Sequence, residues 1–151
     1  MSGFGIRVVS DTATPDLKRL GSAAKNLRPM FKAVGVAVVS IGKRSFAEAA
    51  LRPNSWASKK DGTPATLRGT PTPLLWRSVR VVAAQEKSVT VGSDREYAAI
   101  HQLGGKTRPM PRRGYLPFDL DGKPTAFAHK TIRATINAFI KARGGTSAHL
   151  G

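Results

Sequence analysis

The chain contains no cysteine, which excludes a disulfide framework, a thiol nucleophile and any zinc site built on sulfur. That usage fits a protein folding in a reducing cytosol. Aromatic residues are scarce at 7%, and acids are few: nine Asp and Glu stand against 25 Lys and Arg, for a net charge of +16. Long hydrophobic runs are missing too. The longest, Ala33 to Gly42 with Ser40 inside it, is half of the roughly 20 residues that a membrane span needs. It reads as core, and no membrane partner is expected. The opening residues, Met1-Ser-Gly-Phe-Gly, lack the charged-then-apolar pattern of a secretion signal. What remains is a chain of 151 residues with 40% hydrophobic content. That is enough for one domain that buries most of its apolar surface.

The charge is unevenly placed. Residues 1–60 hold eleven Lys and Arg against three acids, and residues 101–151 hold nine against two, whereas residues 61–100 hold five against four. Two basic flanks around a near-neutral middle have two readings. Clustered cations suit nucleic acid, because phosphates release counterions on binding. They equally suit a solvated surface matched to acidic neighbours in an assembly. Neither zinc-finger spacing, an RNP motif, a helix-turn-helix pattern nor a heptad repeat supports sequence-specific recognition.

Candidate chemistry is thin. His101, His129 and His149 lie in separate elements, and none has a second ligand at metal spacing. Beside Gln102, His101 reads as a packing or hydrogen-bonding residue rather than a general base. Asp119 and Asp121, in Phe118-Asp-Leu-Asp-Gly-Lys123, superficially suggest a calcium loop but lack the remaining ligands and the closing glutamate. A turn at Asp121-Gly122 fits better. Phosphate-binding and nucleophile-elbow glycine motifs are absent. Trp56 and Trp76 could stack on bases, but each is flanked as a core or interface anchor would be. The expectation is therefore no catalytic residue, no cofactor and no metal.

Periodicity predicts an α+β fold, with helices packed on a small antiparallel sheet. Phe4 to Ser10 alternates as a first strand. A Thr cap before Pro15 starts a short helix running to about Leu27. Leu27, Phe31, Val34, Val38, Ile41 and Ala49 then share one helical face. Val36, Val38 and Val39 leave a strand over 34–41 as a rival, but the helical pattern continues to Ala50 and stops at Arg52-Pro53. Residues 52–73, rich in Pro and Gly, read as a long loop that orders on assembly. Ser78 to Ala84 and Lys87 to Ser93 follow as two strands, joined at Gln85-Glu86, a poor primed turn. The C-terminal helix places Ala128, Ile132, Thr135, Ile136 and Phe139 on one face and Lys130, Arg133, Asn137 and Lys141 on the other. Gly144-Gly145 is its stop. The division is one domain over 1–143 and a mobile tail over 144–151.

The most informative stretch is Glu96-Tyr-Ala-Ala-Ile-His-Gln-Leu-Gly-Gly105, followed by Arg108-Pro-Met-Pro-Arg-Arg-Gly-Tyr-Leu-Pro-Phe118. Tyr97 to Leu103 is a short apolar element, with Tyr97, Ile100 and Leu103 expected to bury. Gly104-Gly105 ends it. Pro109, Pro111 and Pro117 then hold the chain extended. The product is a Pro/Arg arm over 104–118, in which Lys106, Arg108, Arg112 and Arg113 are set to dock onto a neighbour through planar, bidentate donors.

These residues carry a resemblance. Tyr97-Ala98, Ile100-His101-Gln102, Gly104-Gly105 and a Pro-Arg segment ending in Tyr115-Leu116 resemble the phage virion morphogenesis (tail completion) family. So do Pro53-Asn54-Ser55-Trp56 after a long helix, Leu74-Leu75-Trp76-Arg77-Ser78-Val79, and Val89-Thr90-Val91-Gly92-Ser93. The ordered set spans roughly residues 45 to 118. The chain departs from the family's usual approach to its last leucine at Arg112-Arg113-Gly114-Tyr115. The resemblance implies a structural virion protein, not an enzyme, assembled in the host cytoplasm. It would act as a hexameric ring at the head–tail junction, between the tail terminator or tube and the head connector proteins and close to packaged DNA. The interface candidates are Trp56, Trp76, Tyr97, Lys106, Arg108, Arg112, Arg113, Tyr115 and Leu116. A small basic DNA-binding protein is the alternative, and a phage enzyme the third reading, without a nucleophile and base to support it.

Overall fold

A computed structural model describes residues 4–9, 26–63, 65, 74–95, 97–105 and 110–142. Three strands, β1 (Phe4–Val9), β2 (Arg80–Ala84) and β3 (Ser88–Ser93), form an antiparallel sheet in the order β1-β3-β2. The helices are α1 (Arg28–Ser45), α2 (Leu74–Ser78), α3 (Ala98–Leu103) and α4 (Ala126–Ala142), with a 3-10 turn at Ala49–Leu51. The fold is α+β, as the periodicity predicts. The expected helix after Pro15 and the tail over 144–151 lie outside the described residues.

The helix reading of 34–41 is the correct one. Met30, Phe31, Val34, Val38 and Ile41 recur at three- and four-residue spacing and are buried, which is one helical stripe. Pro29 occupies the first turn, where a missing N–H costs nothing. That stripe lies against β2, β3 and α4. The helix stops at Ser45 rather than Ala50, because Phe46 turns into the core. Its ring meets Trp56 edge-on at 5.9 Å and Tyr115 at 5.6 Å. The 3-10 turn follows, and Arg52 is extended, as a residue before proline should be.

The central strand β3 pairs in register with β1, from Phe4 opposite Ser93 to Val9 opposite Ser88. Its pairing with β2 slips by one residue between Val81 and Ala83. This bulge leaves Val82 unpaired, so Val82 and Ala83 both face solvent while Val81 and Ala84 return to the core. The poor turn at Gln85-Glu86 widens to include Lys87, closed by Gln85 N–H donating to the Ser88 carbonyl at 2.8 Å.

In α4 the buried stripe is Ala128, Ile132, Ile136 and Ile140. Phe139 packs on the core half-buried. Thr125 starts the helix, its hydroxyl accepting from the Ala128 N–H at 3.2 Å. Lys130 and Lys141 are exposed as expected, and Arg133 and Asn137 are half-buried. Asp119 makes a turn, accepting from the N–H groups of Asp121 and Lys123 at 2.9 Å each. Among the described residues no helix is long and apolar enough to cross a membrane.

A hydrogen-bonded strap joining residues 45–58 to 98–105 and 110–118

Where the end of α1, helix α3 and the 110–118 segment meet, polar side chains replace regular pairing. The centre is Gln102, 1% exposed. Its Oε1 accepts from the N–H groups of Tyr115 and Leu116 at 2.9 Å each. Its Nε2 donates to the carbonyls of Leu116 at 3.1 Å and Phe118 at 3.4 Å. One carboxamide thus does for an irregular segment what a neighbouring strand would do, with all four of its bonding positions used. Ala98, one helical turn before Gln102, is also buried, and its carbonyl accepts from the Tyr115 hydroxyl at 3.2 Å. Burial pushes the Tyr115 phenol well above its usual range. At the end of α1, the Ser45 hydroxyl reaches the carbonyls of Gly42 at 2.6 Å and Tyr115 at 2.7 Å.

The second half of the strap ties residues 52–58 to 112–114. Asn54 is placed to serve both directions of one chain, its Oδ1 accepting from the Gly114 N–H at 3.0 Å and its Nδ2 donating to the Arg112 carbonyl at 2.9 Å. The Trp56 indole N–H donates to the Gly114 carbonyl at 2.8 Å. Arg113, 7% exposed, donates to the carbonyls of Ala57 at 2.9 Å and Ser58 at 3.1 Å. Arg112 donates to the carbonyls of Gln102 at 2.8 Å and Phe118 at 2.9 Å. Arg52 caps the end of α1 through the carbonyls of Ser45 and Phe46 and lies 3.7 Å over the Trp56 ring. Gly114 fits because it has no side chain. A Cβ there would meet Pro53 Cγ at 2.7 Å and Asn54 Oδ1 at 2.9 Å.

This arrangement corrects the docking-arm expectation at its C-terminal half. Arg112 and Arg113 point inward to backbone carbonyls, and Tyr115 and Leu116 are fully buried in the subunit's own core. The physical reason is that an extended proline-bearing segment leaves unpaired main-chain groups, and buried ones must find partners. Likewise residues 52–58 are held within the subunit and need no neighbour to order them. Trp56 is half-buried as an anchor, and Trp76, also half-buried, donates to the Lys43 carbonyl at 3.1 Å. Lys106 and Arg108 lie outside the described residues.

Helix α3 is turned differently from the expectation. Tyr97 and Leu103 are 38% and 47% exposed, and Ile100 is half-buried. The inner stripe is Ala98 and Gln102, because Gln102 is the residue with four backbone partners to reach. Gly104 ends the helix with φ +84°, the left-handed value its position required. His101 stands half-buried between the ring of Tyr97, edge-on at 6.0 Å, and Arg113, whose N–H donates to the His101 carbonyl at 2.8 Å. Its Nδ1 is buried without a hydrogen-bond partner among the described residues. Burial, then the Arg113 charge, holds its pKa below the ordinary 6.5. Asn54, Ser45 and Gln102 were the residues that sequence reasoning gave no role. The one signal available was Gln102 falling a helical turn from Ala98 inside an apolar element.

The members of this polar network bond almost wholly to backbone groups of their own chain, so what they hold in place is the fold itself. The chain belongs to the phage virion morphogenesis family, which it matches over residues 9–130. That is a family of structural and assembly proteins, and it gives this chain a role in building the bacteriophage virion. No curated protein and no solved structure matches the chain.

Proposed function

We propose that this protein completes the phage tail and joins it to the head, as a ring of identical subunits at the neck. The observation that carries the reading is the strap, in a chain of a virion-assembly family. It ties residues 45–58 to 98–105 and 110–118 and leaves Tyr97 exposed just before α3 and Leu103 exposed at its end. A braced body with exposed apolar contacts suits closed, symmetric assembly, in which the same patch must repeat its geometry at every interface. Neighbours in the neck would be the tail terminator or tube on one side and the head connector on the other.

Removal of the gene from the phage tests this reading. Lysates are expected to contain DNA-filled heads and separate full-length tails, and purified protein added back should restore joined, infectious particles. Joined particles formed without the protein, or an arrest before DNA packaging, would contradict it.

A further inference from the structure

Helix α1 lies across one face of the sheet, where a Cβ on Gly35 would meet Val89 Cγ2 at 2.6 Å and Val81 Cγ2 at 3.0 Å. Strand register fixes what points the other way, because residues directly opposite on neighbouring antiparallel strands project to the same side. One row across the sheet is Gly5, Gly92 and Arg80, and the next is Arg7, Thr90 and Ala83. Their alternates Val8, Val89, Val91 and Val81 belong to the core, so both rows face away from α1. The glycine agrees: a Cβ on Gly5 would meet Thr90 Cγ2 at 3.0 Å. Gly5, Arg7, Arg80 and Ala83 are exposed, as is Val82, which the bulge turns outward. Among the described residues this face of the sheet is open.

The open face has a charge pattern of its own. Arg7 and Arg80 sit on its two outer strands, two strands apart and offset by two residues, which separates their Cα atoms by ~12 Å. Neither pairs with a carboxylate among the described residues. A groove of about 280 Å³ lies here, lined by Gly5, Thr90, Val82 and Arg80, with Asp94 also on it. Val82, 50% exposed, supplies its apolar surface. Asp94 follows β3 at the Arg80 end and holds Arg95 at 3.7 Å, while Glu86 is exposed in the hairpin toward Arg7. Two cations bounded by acids differ from the unbroken positive strip that suits a phosphate backbone. Apolar contact beside arginine is instead the composition of a protein interface.

We propose that this open sheet face docks an extended acidic segment of a different virion protein, in which two carboxylates four residues apart bond to Arg7 and Arg80. Side chains at that spacing on one side of an extended chain are ~13 Å apart, which matches the arginine pair. The residue midway between them points the same way and meets the groove, where Gly5 and Thr90 leave room for a branched apolar side chain beside Val82. Guanidinium groups grip carboxylates through paired planar donors. Another copy of this chain is a poor source of the segment. It has nine acids against 25 cations, and none of those acids has another four residues away. Single contacts of this kind are weak at an exposed face, but repetition across several subunits of an assembly lets them add. The inference rests on virion assembly, the family's role, and not on a ring at the neck.

Nuclear magnetic resonance of the isotope-labelled full chain, titrated to millimolar concentration with a peptide carrying Glu-Ser-Val-Ser-Glu, tests it. Saturable amide shifts are expected on residues 4–7, 80–83 and 90–94. Replacing Arg7 and Arg80 together by Gln should weaken binding by about fivefold, the equivalent of two exposed ion pairs. Replacing Lys32 and Lys130 by Gln removes the same charge from exposed positions on α1 and α4 and should leave affinity within about twofold. A peptide of the same composition with its two glutamates adjacent should bind more weakly than the spaced one. Equal weakening in both double variants, equal binding of both peptides, or no saturable shift would each overturn the proposal. So would a DNA duplex that shifts the same amides at lower concentration, which would assign the face to nucleic acid. Shifts of those amides on dilution of the free chain would assign it to a second copy and overturn the proposal equally. The amide spectrum of each variant shows that it is folded.

Discussion

Gln102 shows how much a single side chain can hold in a fold with a small sheet. Truncating it to Ala would leave the buried N–H groups of Tyr115 and Leu116 without partners, while the Leu116 and Phe118 carbonyls keep the Phe118 N–H and Arg112 as donors. At roughly 1–3 kcal/mol for each buried group left unpaired, and with some relaxation, the loss should be on the order of 3–5 kcal/mol. Chemical denaturation of the Gln102→Ala variant is the check, and a loss below about 1 kcal/mol would mean the network is replaceable by water. His101 acts with the opposite sign of partnership. Its folded pKa is depressed by burial and by Arg113, so the folded state favours the neutral ring. The stability this contributes is present above about pH 6.5 and is lost as pH falls from there through the folded value. Urea midpoints should therefore fall more between pH 7.5 and 5.5 for the native chain than for His101→Gln. Equal falls would remove His101 from the account.

Among the elements, the two long helices α1 and α4 were legible and the irregular segments were not. The stripes of α1 and α4 follow from spacing alone, since burying apolar residues three and four apart is what a helix does. The end of α1 was misplaced because the face continues to Ala49 in sequence, while Phe46 has stronger ring contacts off the helix axis. The inward turn of Arg112 and Arg113 was illegible for a different reason. Prolines and arginines at the surface and in a buried strap share one composition, and only the fold shows that the carbonyls of Ala57, Ser58 and Phe118 lie within reach. Gly114→Ala tests the strap as an element. The added Cβ would press on Pro53 and Asn54, at a cost of about 1–3 kcal/mol. Hydrogen exchange should show residues 52–58 and 112–116 losing protection together while α4 keeps its own. Loss confined to one of the two segments would show that they are not one unit.

The whole molecule combines a hydrogen-bonded strap with a short helix, α3, that is flanked by the exposed side chains of Tyr97 and Leu103. The family was visible in the order of short motifs from Pro53 to Leu116, several of which the structure places. Pro53-Asn54-Ser55-Trp56 and Ile100-His101-Gln102 lie in the strap, and Leu74–Ser78 forms α2. Arg112 and Arg113 of the arm are bonded to backbone carbonyls within the subunit, whereas Tyr97 and Leu103 are exposed. Replacing Tyr97 and Leu103 together by Ser should leave the subunit folded, with stability within about 1 kcal/mol, because both are already largely exposed. Lysates should nevertheless contain heads and tails unjoined.

The most direct test of the central claim is electron cryomicroscopy of the neck of the mature virion. The account predicts a ring of this fold between the head connector and the tail tube, with Tyr97 and Leu103 buried in the contacts between subunits or with the tail. A neck without this chain, or a ring in which Tyr97 and Leu103 face open solvent, would contradict it.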